Sequence, residues 1–204
     1  YWLAGSQHNI EHLVKTLVHR YAQGPREALR ALAKPEDPIE YPEVGLYHPQ
    51  MKNRISEHLS DLPGHGKNQP AVGLLLLRSY LLAGNTAHYD AVITSLQARG
   101  LRVIPAFASG LDARPAMDRF FKATGPSGSA ERIQSLVSLT GFSLVGGPAY
   151  NDATAAEVAL RELDVPYIAA HPLEFQSIEQ WGDSTRGLLP VENTIMVAIP
   201  ELDG

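Results

Sequence analysis

The residues best equipped for chemistry stand where apolar runs end. His171 and Glu174 lie three positions apart in Ala169-Ala170-His171-Pro172-Leu173-Glu174-Phe175. A neutral imidazole near a carboxylate can hold a divalent ion or relay a proton, although two ligands do not define a metal site. The same pair also reads as a hydrogen-bonded His beside a helix-capping Glu. Arg78 and His88 bracket a second junction, with Asn85 and Thr86 between them in the manner of a helix N-cap. A third passage, Leu139-Thr140-Gly141-Phe142-Ser143-Leu144-Val145-Gly146-Gly147-Pro148-Ala149-Tyr150-Asn151-Asp152, interleaves glycines and a proline with large apolar side chains. It suits a flat hydrophobic partner better than a phosphate; the competing reading is a buried crossover whose glycines serve backbone geometry. The catalytic candidates are therefore His171, Glu174 and His88. The candidates for holding a substrate are Arg78, Asn85, Thr140, Phe142 and Tyr150, and no metal-ligand set is assigned.

Several activities are excluded or disfavoured. Where a dinucleotide fold carries GxGxxG, residues 78–88 hold a single Gly, Gly84. No GxxxxGK[ST] occurs: Gly141 and Gly146 are followed by Gly147-Pro148, so any ATP driving the reaction is hydrolysed by another subunit. With no cysteine, disulfides, thiolate catalysis and Cys-type zinc sites are ruled out. A net charge of -5 argues against a nucleic-acid or anionic-membrane binder. His8 and His12 are one helical turn apart, but HxxxH without HExxH is a weak metal signal, and His19, His48, His58 and His65 form no motif.

The elements that position these residues follow from periodicity. Ile10, Leu13, Val14, Leu17, Val18 and Tyr21 recur at helical spacing and predict an amphipathic helix ending at Gly24-Pro25. A short helical piece at 28–32 runs into a linker at 34–42, where Pro35, Pro38 and Pro42 forbid regular structure. Residues 44–47 read as a short strand, and Ile55, Leu59 and Leu62 as one stripe of a helix. From Pro70 onward, apolar runs at 72–77, 102–107, 136–139 and 166–170 alternate with helical patterns. Those helices carry Tyr89, Val92, Ile93 and Leu96; Met117, Phe120 and Phe121; and Ala156, Ala159, Leu160 and Leu163, the last beginning at Asp152 or Thr154. Short helical pieces at 178–181 and 191–198 close the pattern. The fold class is α/β: a doubly wound, mostly parallel Rossmann/flavodoxin-like sheet, residues 69–204, behind a helical lead-in and Pro-rich linker, residues 1–68. Ligands of such sheets bind outside the strands' carboxyl ends, which selects residues 78–88, 108–113, 140–152 and 170–176. No apolar stretch approaches a membrane span. Charged residues make up only 19%, which predicts apolar surface near Trp2, near 139–150 and after Ile195.

Read in order, several blocks resemble the large porphyrin-binding subunits of magnesium chelatases. They include Gly73-Leu74-Leu75-Leu76-Leu77-Arg78-Ser79, Ala87-His88-Tyr89-Asp90-Ala91-Val92 and Arg102-Val103-Ile104-Pro105-Ala106-Phe107. Further along come Ser109-Gly110-Leu111-Asp112, Val137-Ser138-Leu139-Thr140-Gly141-Phe142-Ser143-Leu144-Val145-Gly146-Gly147-Pro148 and Pro200-Glu201-Leu202-Asp203-Gly204. The related cobaltochelatase large subunit is similar in Leu82-Ala83-Gly84-Asn85-Thr86-Ala87, but the 139–148 block is closer to the magnesium enzyme. His171 and Glu174 resemble the purple-bacterial form. The resemblance implies a fragment of a longer subunit that inserts Mg²⁺ into protoporphyrin IX in chlorophyll or bacteriochlorophyll synthesis. It further implies two AAA+ partner subunits, one of them hydrolysing ATP, and a cytoplasmic or plastid-stromal location with membrane association. The alternatives are a cobaltochelatase domain, a scaffold domain docking its neighbours or the AAA+ subunits, and a generic nucleotide-binding flavodoxin-like module.

Overall fold

In a computed structural model of the chain, residues 1–64, 69–122, 133–147, 150–173 and 175–203 are described. They fall into two compact units, residues 1–42 with 79–86, and residues 43–78 with 87–204. Two strands from the expected lead-in, residues 1–68, join the sheet.

The first unit contains α1 (Gln7–Tyr21), capped by the Ser6 side chain accepting from the Asn9 N–H, and a short α2 (Leu29–Leu32). The apolar stripe of α1 is not its buried face. Asn9 and His12 are buried, whereas Ile10, Val14, Leu17 and Tyr21 are exposed. The cause is the linker. Its prolines leave it without secondary structure, so its main-chain groups need side-chain partners. The Asn9 amide donates to Ile39 O at 2.8 Å and accepts from Ile39 N–H at 2.9 Å, while His12 Nδ1 accepts from Glu36 N–H at 2.7 Å. Trp2 and Leu3 are also exposed, as the low charge fraction predicted.

The second unit is the sheet. Its strands are β1 (Val44–Tyr47), β2 (Ile55–Ser56), β3 (Ala71–Leu77), β4 (Arg102–Ala108), β5 (Ser135–Ser138) and, past a small ribbon of β6 (Gly146–Gly147) and β7 (Tyr150–Asn151), β8 (Tyr167–Ala169). The order is β2-β1-β4-β3-β5-β8, with β4, β3, β5 and β8 mutually parallel and β1 and β2 antiparallel additions. The parallel strands thus run second-first-third-fourth, the flavodoxin-like order, with the topological switch between β3 and β5. The stripe Ile55, Leu59, Leu62 is not a helix: it is β2 followed by a single 3₁₀ turn at Leu59–Asp61.

The connections are α3 (Arg78–Leu82), α4 (Ala87–Gln97), α5 (Arg114–Phe120), α6 (Ala153–Leu163), α7 (Ile178–Asp183) and α8 (Pro190–Glu192). Asp152, rather than Thr154, caps α6, accepting from Ala155 N–H at 2.9 Å. Residues 193–198 form a π-helical turn where a regular helix was expected. On one face of the sheet Ala71, Leu75, Ile104, Ala106 and Leu136 share a single cluster with α5 and α6 through Met117, Phe120, Ala156, Ala159 and Leu163. Gly73 permits this packing: a Cβ there would stand 2.8 Å from Ile133 Cδ1 and 3.1 Å from the Phe121 ring. The alternate positions Val72, Leu74, Leu76, Val103 and Phe107 face the other way, where α4 packs against β4 with Tyr89 and Ile93 buried.

His48, following β1, is 1% exposed; its Nδ1 accepts from Gln50 N–H at 3.1 Å and its Nε2 lies 3.0 Å from the Gln97 amide. Burial holds its pKa below the usual histidine value, opposed by the Gln97 contact and the Asp90 charge. A proton on Nδ1 would confront the Gln50 N–H. The folded state therefore keeps this ring neutral while the unfolded chain takes up a proton from about pH 6.5 downward, so stability present above that pH is lost on acidification. Equilibrium denaturation between pH 7.5 and 5 should show this loss, and His48→Gln should flatten it.

Candidate functional site

The carboxyl ends of β3, β4 and β5 open onto a cleft of about 310 Å³, counting the solvent at its mouth. Its walls are Leu75, Leu76 and Leu77 from β3, Ala108 to Ala113 from the end of β4 except Ser109, and Thr140, Phe142 and Ser143 after β5. Only the polar ends of Asp112, Thr140 and Ser143 break an apolar lining. Its enclosed part is about 20 Å³, room for a water-sized group, so the walls form a shallow apolar surface against which a flat ligand would lie rather than a pocket that encloses one.

Each polar wall group already has a partner. Asp112 accepts from Arg114 Nε at 3.0 and 3.1 Å and Nη2 at 2.6 Å, and from the Arg114 N–H at 3.0 Å. The Arg114 guanidinium holds its carboxyl below the usual range, against a smaller effect of burial. The Thr140 hydroxyl donates to Phe142 O at 3.2 Å, accepts from Phe142 N–H at 3.3 Å, and stands 3.0 Å from Ser138 Oγ. Ser143 Oγ repeats the pattern with Val145. These are side-chain turns that fold residues 140–145 onto themselves. They leave Leu144 and Val145 buried, so among the described residues of the apolar patch expected at 139–150 Tyr150 is the exposed large side chain.

His171 is half-buried two residues after β8. Its Nδ1 is enclosed and has no hydrogen-bond partner among the described residues. Burial lowers its pKa, opposed by the nearby charge of Glu201. Enclosing a bare lone pair costs less than enclosing an unpaired N–H, so the neutral ring carries its proton on Nε2. The next residue, Pro172, approaches Gly141: a Cβ on Gly141 would lie 3.4 Å from Pro172 Cδ and 3.1 Å from Met196 Cε. Gly141 also has φ +71°, so the loop after β5 and the segment after β8 meet where no other residue fits easily.

Glu192 sets where that segment rests. It is 1% exposed and receives Phe175 N–H at 3.2 Å, Gln176 Nε2 at 2.9 Å and Leu189 N–H at 3.0 Å. A buried carboxylate satisfied only by donors ties residues 175–176 to α8. No sequence signal marks this role beyond a Glu shortly after Pro190.

The structure thus brings together Thr140 and Phe142 in the cleft and sets His171 beside the same loop. Arg78, His88 and Tyr150 are outside the cleft lining. The His88 ring lies 3.9 Å from that of Tyr89, tilted by 44°. Tyr150 OH stands 3.5 Å from Asp152. Asn85 belongs to the first unit, where its N–H donates to Tyr80 O at 3.0 Å, and Glu174 lies outside the described residues. Leu111, Asp112 and Ser143 line the cleft without being candidates by residue type or spacing; the positions of 108–113 and 140–152 at strands' carboxyl ends point to them.

A sequence model of the CobN/Magnesium Chelatase family matches residues 1–204. The chain belongs to this family. It is 56% identical over 204 residues to the magnesium-chelatase H subunit of Cereibacter sphaeroides and 53% identical over 205 residues to that of Rhodobacter capsulatus, covering all of this chain and 16% of each relative. The aerobic cobaltochelatase CobN subunit of Pseudomonas aeruginosa is 30% identical over 168 residues, 82% of this chain and 12% of that protein. Among solved structures, the catalytic subunit of cobaltochelatase from Mycobacterium tuberculosis superimposes with a TM-score of 0.60 over 98% of this chain and 15% of that one, at 21% identity, and shares the fold. The chain spans about one sixth of the length of its magnesium-chelatase relatives. Among the described residues, no helix is long and apolar enough to cross a membrane.

A second cluster lies in the first unit. His8, His12 and Glu36 bring their ligand atoms within 4.8 Å of one another, with His8 Nε2 3.9 Å from the Glu36 carboxylate. His12 has no nitrogen free for an ion. Its Nδ1 accepts the Glu36 N–H, and the Lys15 ammonium stands 3.5 Å from its Nε2. Zn²⁺ should therefore leave the thermal midpoint unchanged in calorimetry, and a saturable rise would show that His12 has turned. Glu192→Leu strands three donors and should cost about 3 kcal/mol in equilibrium denaturation.

Proposed function

We propose that this chain is part of the large, porphyrin-binding subunit of a magnesium chelatase, which inserts Mg²⁺ into protoporphyrin IX. The observation that carries this reading is identity: 56% across every residue with a magnesium-chelatase H subunit, against 30% over 82% of the chain with a cobaltochelatase subunit. ATP is hydrolysed by AAA+ partner subunits, in keeping with the absence of GxxxxGK[ST] from this sequence. The place of action is the cytoplasm, or the stroma in a plastid, at or near a membrane.

The chemistry asks for three things. A rigid macrocycle must be held, Mg²⁺ must shed water it releases reluctantly, and two pyrrole N–H protons must leave. In this reading the cleft widens to take an edge of the macrocycle against Phe142, with Thr140 at its rim. His171 and Glu174 receive protons, and Arg78, Asn85, His88 and Tyr150 act on the substrate from the neighbouring loops of the full subunit. His171 stays neutral near pH 7, as a base requires, but its available lone pair is on the enclosed Nδ1. Taking a proton there requires the 171–176 segment to move. Glu192 holds that segment at rest, so ATP-driven work from the partners has a defined object.

The scaffold reading is favoured by one observation: Thr140, Ser143 and Asp112 all spend their polar groups within their own loops. Chelation by the full-length subunit with its partners separates the two. His171→Gln should lower the chelation rate about 100-fold with porphyrin affinity preserved, and Phe142→Ala should weaken porphyrin binding about fivefold, measured by quenching of Trp181 fluorescence. Unchanged rate and affinity in both variants would leave the scaffold reading in place.

A further inference from the structure

The loops that leave β4 and β5 start on either side of β3 and join again past its end. Asp112 stands opposite Val145 in an antiparallel bridge, with the Gly146 N–H donating to Leu111 O at 2.9 Å and the Ala113 N–H to Leu144 O at 2.8 Å. The two sides of this clasp are anchored differently. Leu144 and Val145 are buried in the core cluster, and the Asp152 N–H donates to Val145 O at 2.9 Å, tying that side to the head of α6. On the other side Gly110 and Leu111 are exposed. Their stretch is fixed at its ends: the Ser109 N–H donates to Glu43 O at 2.6 Å, and Ala113 O accepts from the N–H groups of Ala116 and Met117 at the start of α5.

Two glycines suit this stretch to movement. Gly110 has φ +76°, and a Cβ on it would meet nothing within 4 Å, so its glycine serves backbone rotation rather than packing. Such a residue, next to a fixed strand end, can act as a hinge. Gly147 does the opposite: a Cβ there would lie 2.2 Å from Leu111 Cδ1, so its bare backbone is the seat into which the Leu111 side chain closes. Leu111 and Asp112 line the cleft on the side away from Phe142, and the enclosed space of about 20 Å³ admits only a water-sized group. While the clasp is made, a flat ligand cannot enter. Opening it costs two main-chain bonds and the leucine seat, whereas the Asp112–Arg114 bonds are local and need not break.

We propose, on the reading that this cleft takes an edge of the porphyrin, that residues 110–112 are its lid: turning at Gly110, they release Leu144 and Gly146, lift Leu111 from Gly147 and open a slot between Leu111 and Phe142. The closed clasp is the resting state. Porphyrin then binds only the fraction of chains in which the lid is open, and its apparent affinity falls in proportion to that fraction. Holding the lid shut therefore removes binding without altering Phe142 or Thr140.

A reversible lock across the clasp tests it in the full-length subunit. Facing residues of a wide antiparallel pair have Cα atoms about 4.5 Å apart, within reach of a disulfide, and residues 1–204 contain no cysteine to compete. The double variant Asp112→Cys, Val145→Cys, once oxidised, should bind protoporphyrin IX at least about tenfold more weakly than the same variant reduced, and neither single variant should respond to the oxidant. Equal affinity in both redox states, with the cross-link confirmed by mass spectrometry, overturns the lid if Phe142→Ala still weakens binding. If Phe142→Ala also has no effect, the cleft reading fails and the lid falls with it. Hydrogen exchange in the unaltered, porphyrin-free subunit gives a second measure: the Ala113 and Gly146 amides should exchange together, at least about 100-fold faster than the amides of β3. Exchange as slow as that of β3 overturns the lid whatever the variants do.

Discussion

Strand β3 is hydrogen-bonded on both sides by parallel neighbours, β4 and β5, and much else in the sheet unit follows from that arrangement. A parallel pair needs a crossover, and right-handed crossovers place α4 on one face and α5 and α6 on the other. Because the chain departs from β3 toward β4 and later returns to its opposite side at β5, the loops after these strands diverge and leave a cleft between them. Residues 71–76 are all buried, and Gly73 is what lets Phe121 and Ile133 reach the strand. The site is thus a by-product of pairing order, and its apolar walls are the last turns of the same strands that form the core.

Polar groups in this molecule mostly serve the main chain. Asn9 and His12 satisfy the proline-rich linker, Thr140 and Ser143 fold their own loop, and Glu192 gathers three donors from two segments. Each arrangement removes a side chain from the pool available to a ligand while stiffening the segment it serves. His171 is the contrast: a half-buried ring, held neutral by burial, with one enclosed nitrogen that no described group meets. Buried polar atoms normally find partners, and this one meets none among the described residues.

The low charge content has a structural counterpart, though not wherever it was expected. Trp2, Leu3 and the stripe Ile10, Val14, Leu17 and Tyr21 are exposed in the first unit, and Leu202 and Ile168 in the second. The 139–150 passage instead turns its leucine and valine inward, because its hydroxyls close the turns that bury them. For a chain spanning one sixth of its relatives, apolar surface of this kind fits contact with the rest of the subunit.

Periodicity alone made much of this legible. Four parallel strands and their helices follow from local rules, since burial of both faces imposes continuous apolar runs on the inner strands β3 and β4. Several features do not. The spacing of Ile10 to Tyr21 specifies a helix but not which side faces inward; Asn9 and His12 instead turn to main-chain groups of the linker 30 and 24 residues away. The stripe at 55–62 satisfied helical spacing and became a strand and a turn, because pairing with β1 offered ladder bonds that a short helix lacked. Arg78, Asn85 and His88 were near in sequence to a strand end, yet the cleft is lined by residues from three separate strand ends. Residue types and their order determined the elements and the family; the hydrogen-bond demands of distant backbone and the pairing order of the strands, which no local spacing records, decided which side chains meet.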